Sequence, residues 1–179
     1  MGMQGPDSFP AGDGGRGADR VRAVFEVSYR RLVGQLYGVC GDLTEAEEVV
    51  AEAFARAVQH QRVFARLDNP EAWLRTVAVN VSRTRRRRAR MAAERERAET
   101  RHPVLDDERL ELMAALRRLS LPQREVIALH YLADLPVNQV AECLGVPTGT
   151  VKTRLARGRA ALAVLLASAP DPSEEARHG

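Results

Sequence analysis

The sequence predicts an all-α protein of two small helical domains joined by a flexible linker, the second domain containing a helix-turn-helix. Three observations carry this reading. Ala, Leu, Arg and Glu, all strong helix formers, dominate the 179 residues. Aromatic residues make up only 4%, and runs of Val, Ile, Tyr and Phe of the strand type are absent. Apolar residues recur at helical spacing on both sides of a charged stretch, about residues 92–107, that has no apolar stripe.

Residues 1–18 hold several Gly, two Pro and little that can pack, and are expected to be a disordered tail. From Asp19 to Cys40 the residues Val21, Val24, Phe25, Leu32, Leu36 and Val39 mark a first amphipathic helix ending near Gly41. Thr44-Glu-Ala-Glu47 fits a capping box with Thr44 as N-cap. Val49, Val50, Ala53, Phe54, Ala57 and Val58 then stripe a helix running to about His60. A loop follows through Asp68-Asn69-Pro70. The next helix starts near Glu71, with Trp73, Leu74, Val77, Ala78 and Val81 inward, and runs into an arginine cluster. These elements form a domain over 19–91. Residues 92–107 are read as a linker, broken by Arg101-His-Pro103.

The second domain spans 108–167. Leu110, Leu112, Met113, Leu116 and Leu119 stripe its first helix, and Ser120-Leu-Pro-Gln123 opens the next, packed through Val126, Ile127, Leu129 and Leu132. Val137, Val140, Ala141 and Leu144 form a short helix. Gly145 suits a sharp left-handed turn and Pro147 the first turn of the following helix. In that last helix Val151, Leu155 and Leu162 point inward, leaving Lys152, Arg154, Arg157 and Arg159 on other faces. This is the layout of a helix-turn-helix whose second helix enters a DNA groove. Thr148, Thr150, Lys152 and Arg154 occupy the turns that face base edges, and Arg157 and Arg159 suit phosphates. Residues 168–179 read as a loose tail.

The formal charge is only +3, but charge is segregated. Arg83, Arg85, Arg86, Arg87, Arg88 and Arg90 crowd one segment, which can displace counterions from phosphates. Glu45, Glu47, Glu48 and Glu52 crowd another, which suits a basic protein partner. Lys152 is the only lysine; the arginine bias fits bidentate phosphate contacts and equally GC-rich coding. Cys40 and Cys143 are isolated, with no CxxC or Cys/His cluster, so no metal site or disulfide framework is implied. The four His are scattered, and no phosphate loop, nucleophile elbow or dinucleotide fingerprint occurs. No catalytic residue, cofactor or metal is therefore assigned. No apolar segment reaches membrane-spanning length and no signal pattern opens the chain, so a cytoplasmic protein without membrane insertion is expected.

Taken together, residues 19 to 166 resemble the extracytoplasmic-function (ECF) group of bacterial RNA polymerase sigma factors. Asp42-Leu-Thr-Glu-Ala-Glu-Glu-Val-Val-Ala-Glu-Ala-Phe54 is similar to that family's core-binding helix, and Trp73-Leu-Arg-Thr-Val-Ala-Val-Asn80 to the helix that reads the −10 element. Leu119-Ser-Leu-Pro-Gln-Arg-Glu-Val126 with Gly149-Thr-Val-Lys-Thr-Arg-Leu-Ala-Arg157 resembles the −35 domain. The resemblance implies a non-enzymatic subunit that joins core RNA polymerase through its β′ and β subunits and directs it to promoter DNA. It implies core-polymerase contacts at Glu48, Glu52 and Arg56, −10 contacts at Arg75, Asn80, Arg83, Arg86 and Arg87, and −35 contacts along the helix from Thr148. An anti-sigma factor is a further partner the family suggests. Thr76 and Val79 stand where many relatives carry Arg, and residues 61–70 lack a distinctive pattern, so no −10 preference is transferred. The alternative is a stand-alone helix-turn-helix regulator.

Overall fold

The computed structural model describes residues 13–93 and 107–167, and all its regular elements there are helical. In order they are α1 (Asp13–Cys40), α2 (Leu43–Gln59), α3 (Gln61–Phe64), α4 (Pro70–Ala93), α5 (Asp107–Arg118), α6 (Leu121–Ile127) continuing into a π-helical turn (Ala128–Leu132), α7 (Val137–Leu144) and α8 (Thr148–Ala167). The expected disorder of residues 1–12, the linker over 94–106 and the tail 168–179 lie outside the described residues. α1 begins at Asp13, so residues 13–18, expected in the tail, are helical.

In the first half α1, α2 and α4 pack on one another, with α3 closing one end. Their facing residues, among them Leu32, Leu36, Val49, Val50, Phe64, Leu74 and Val79, are fully buried. Phe25, expected inward, is 43% exposed. It lies at the edge of the core, its ring 4.7 Å from Tyr29 and 5.0 Å from Phe54. The α2 cap falls at Asp42 and not at Thr44: extended Asp42 (φ −139°) accepts from the Glu45 N–H at 2.8 Å. At α4, Asn69 accepts from the Ala72 N–H at 3.0 Å, with Pro70 in the first position, where its missing N–H costs nothing.

The second half packs α5, α6 and α7 around α8. Ser120 donates its backbone N–H to Gln123 Oε1 at 3.3 Å, opening α6 as expected. Gly145 sits at φ 64° and ends α7, a conformation a Cβ would strain, so the turn into α8 needs glycine there. The π-helical turn carries no signal in the sequence; the Ala133 N–H reaches the Ala128 carbonyl at 3.0 Å.

The halves touch. α1 lies against the π-helical turn and α6, and α4 lies against α7. Buried residues of both halves, from Val21 to Leu155, join in one continuous apolar core.

Candidate nucleic-acid and polymerase interface

The start of α8 is built to display side chains. Val151, Leu155 and Gly158 are buried against the rest of the domain and fix the helix rotation. That leaves Thr148, Lys152, Arg157 and Arg159 exposed, and Thr150 and Arg154 half-buried at the edge. The ion pairs of the described residues all involve other side chains, so these four cations have no carboxylate partner among them. Unpaired cations beside a helix N-terminus form a surface ready for phosphate and base edges.

Glu48, Glu52 and Arg56 lie at one-turn intervals on the outer face of α2, and the structure brings all three together. Arg56 Nη2 meets Glu52 Oε1 at 2.5 Å. Arg85 of α4 reaches across to pair with Glu48, and to Glu52 Oε2 at 3.2 Å. Desolvation alone would raise the Glu52 carboxyl, but hydrogen bonds from Arg56 and Arg85 hold it below its ordinary value. Arg85 is the residue of this patch that sequence reasoning placed only within the arginine cluster. Its partners lie 37 and 33 positions away, beyond any local pattern.

The five α4 residues expected at the −10 strand are not equivalent. Asn80 and Arg87 are exposed. Arg86 is partly covered: it donates to Glu45 Oε2 at 3.0 Å and to the Cys40 carbonyl. Arg75 is buried, donating to Glu71 Oε1 at 2.9 Å and Gln35 Oε1 at 3.1 Å; burial lowers its pKa although Glu71 opposes the shift. The pair with Glu71 stays within α4 at i, i+4 spacing, and the hydrogen bond to Gln35 of α1 ties the two helices together. Arg83 forms a fork on Glu125 of α6, Nε to Oε1 at 2.6 Å and Nη2 to Oε2 at 2.7 Å, and Nη1 reaches the Leu144 carbonyl at 3.1 Å. Those hydrogen bonds raise the Arg83 pKa against the cost of desolvation. Trp73 is partly buried with its ring edge-on to Phe64 at 5.7 Å, in line with its place in the apolar stripe. No group of three or more His, Cys, Asp or Glu among the described residues could hold a metal ion.

A helical domain with an acidic face and a basic helix, coupled to a helix-turn-helix, defines a DNA-binding protein that also carries a protein-docking surface. Comparison with known proteins makes this specific. Residues 24–91 match the family described as Sigma-70 region 2, and residues 109–162 match Sigma-70, region 4. The chain is 34% identical over 145 residues to the ECF RNA polymerase sigma factor SigL of Mycobacterium tuberculosis, covering 75% of this chain and 82% of that one. It is 33% identical over 154 residues to SigW of Bacillus subtilis, with the same coverage. Among solved structures, the sigma factor RpoE of Bartonella quintana, in complex with the anti-sigma factor NepR, matches with a TM-score of 0.70 at 25% identity, over 85% of this chain and 99% of that one. The chain belongs to the ECF group of RNA polymerase sigma factors. As such it binds core RNA polymerase and promoter DNA and directs promoter-specific transcription initiation; a stand-alone regulator is not favoured.

Proposed function

We propose that three surfaces divide this work. The domain over 19–91 docks on polymerase through Glu48, Glu52 and Arg56 and contacts the −10 strand through Asn80, Arg83, Arg86 and Arg87 of α4, with Arg75 holding that helix in place. The domain over 108–167 reads the −35 element through Thr148, Thr150, Lys152 and Arg154, with Arg157 and Arg159 on phosphates. Residues 92–107 act as the tether between them. The docking partners are the β′ and β subunits, whose basic surface suits the α2 carboxylates. The protein carries no catalysis of its own and works where polymerase works, in the cytoplasm; among the described residues no helix is long and apolar enough to cross a membrane. The match to an RpoE held by an anti-sigma factor supports extending such a partner to this chain.

The observation that carries this reading is the first half of α8, whose exposed cations have no carboxylate partner among the described residues while its apolar residues lock the rotation. Weak grips at two promoter elements become selective when polymerase holds both at fixed spacing, because the second contact is then intramolecular. Transcription with purified core polymerase over a library of promoter templates tests it. Arg154→Ala is expected to lower −35 discrimination by about 1–3 kcal/mol, the range for a bidentate base contact. Equal losses on every template would make Arg154 a phosphate anchor, and no initiation with wild-type protein on any template would overturn the division of surfaces.

A further inference from the structure

We propose that the first turns of α1, residues 13–20, brace the segment between the polymerase-docking helix α2 and the DNA-facing helix α4 through Gly17 and Arg20, and that this brace governs how readily the protein opens a promoter. The inference rests on the assignment of α4 to the −10 strand made above.

Residues 60–69 are the route of the chain from α2 to α4. Little within the segment holds it. α3 has four residues, too short to stand as a helix in water. Phe64 is buried, but Arg62, Val63, Arg66, Asp68 and Asn69 are exposed. Two contacts from α1 supply the rest. Gly17 is buried, and a Cβ built on it would stand 2.9 Å from the Gln61 carbonyl oxygen and 3.1 Å from the Gln61 Cβ. The backbone of α1 therefore lies directly on the start of α3, and a side chain at 17 would push it away. Arg20 is half-buried, and its Nη2 donates to the Leu67 carbonyl at 2.5 Å. A hydrogen bond from a guanidinium is charge-assisted and stronger than a neutral one. Gly17 and Arg20 share a face of α1 at i, i+3 spacing, so one face grips both ends of the segment.

Glycine is disfavoured inside a long helix, and α1 carries it where a neighbour claims the room. A Cβ at Gly38 would likewise overlap Leu132 Cδ1 of the second half. The match to Sigma-70 region 2 begins at residue 24, so Gly17 and Arg20 stand ahead of the stretch that carries the family likeness.

The braced segment leads straight into α4. Asn69 accepts from the Ala72 N–H, and Phe64 meets Trp73 edge-on at 5.7 Å. A shift of Gln61 or Leu67 is thus passed to the first turn of α4. Bases drawn out of a duplex must be caught before they restack, and unstacking costs free energy at each base. A surface already fixed makes that catch without first ordering itself. Fixing the backbone of one residue costs about as much free energy as a ten-fold change in rate.

The test uses the full chain with core polymerase. Gly17→Leu lifts α1 from α3, and Arg20→Ala removes the donor to Leu67. Arg20→Lys restores a single donor, and Arg16→Ala removes an exposed cation nearby on the same helix. Circular dichroism checks that each folds; should Gly17→Leu not fold, Arg20→Ala decides. Transcript yield is measured on a duplex promoter and on the same promoter with its −10 strands mismatched and already apart. Gly17→Leu and Arg20→Ala should lower the duplex yield about ten-fold, with Arg20→Lys between them and the wild type and Arg16→Ala at the wild-type level. On the mismatched template all should match the wild type at saturating polymerase, and affinity for core polymerase should be unchanged. A wild-type duplex yield from Arg20→Ala overturns the proposal. An equal loss on both templates overturns it too, since a general weakening of the fold would do the same. Asn80→Ala separates this inference from the reading beneath it. A normal duplex yield from Asn80→Ala would remove α4 from the −10 strand. A reduced one, beside a normal yield from Arg20→Ala, keeps α4 there and removes only the brace.

Discussion

Arginine takes different roles at neighbouring positions of α4. Arg83, Arg85 and Arg86 each find carboxylates from distant elements, while Arg87, Arg88 and Arg90 face solvent. The cluster is plain in the sequence; its sorting is not, because the partners Glu45, Glu48, Glu52 and Glu125 lie 33 to 42 positions away. The cysteines were the more legible case. Isolated and outside any CxxC or Cys/His cluster, both are buried and free, as small core residues should be. Burial, helped by the nearby Glu45 carboxylate, pushes the Cys40 thiol from 9.0 up to about 12, and burial also raises Cys143 against the hydrogen bond from Thr76. Since the thiolate is the reactive form, native protein at pH 8 should react with a disulfide reagent such as DTNB only as fast as it opens, and two thiols should titrate at once in guanidinium. A group raised on folding stabilises fully below its unfolded value, and that contribution is lost as pH rises toward the folded value. Melting temperature should therefore decline from about pH 9 upward. Rapid labelling of native protein at pH 8 would show that these sites are open.

Helix periodicity located every long element, and Gly145 marked the turn of the helix-turn-helix because only a residue free of Cβ strain takes φ 64° cheaply. Two short elements escaped. α3 has four residues, too few to show a period. The π-helical turn arises from packing between the halves, which no local pattern encodes. The α2 cap was displaced by two residues because two overlapping frames, Asp42 to Glu45 and Thr44 to Glu47, satisfy the same capping pattern. The chain leaves α1 at Gly41 and is extended at Asp42, so its carboxylate meets the free N–H of Glu45, the third residue of α2. Glu45 then turns away to accept from Ser82 at 3.0 Å and from Arg86. Asp42→Ala should cost about 1 kcal/mol of stability, and Thr44→Ala no more than about 0.5 kcal/mol. Urea midpoints decide it, and a larger loss at Thr44 would return the cap to the frame the sequence first suggested.

At the scale of the whole molecule the composition shift near residues 92–107 divided the chain where the two family matches leave a gap, at 92–108. What the sequence could not convey is that the halves share a core. Of the residues involved, Leu132 belongs to a stripe already accounted for within its own helix, while Gly38, Ala128, Arg83 and Glu125 belong to none, and the pairing is visible only in three dimensions. A second half of about sixty residues buries little apolar surface alone. Continuity with the α1 and α4 side should therefore couple its unfolding to that of the first half. Calorimetry of the full chain should give one endotherm with equal calorimetric and van't Hoff enthalpies, the mark of a single cooperative unit. Gly38→Leu, which relieves the glycine penalty in α1 yet separates the halves, should split that endotherm, the second half melting first. The first half should hold its melting temperature or rise slightly, since leucine favours the helix by up to about 1 kcal/mol over glycine. Two transitions in the wild type would mean that the shared core does not bind the halves into one unit, and that each stands on its own packing before polymerase arrives.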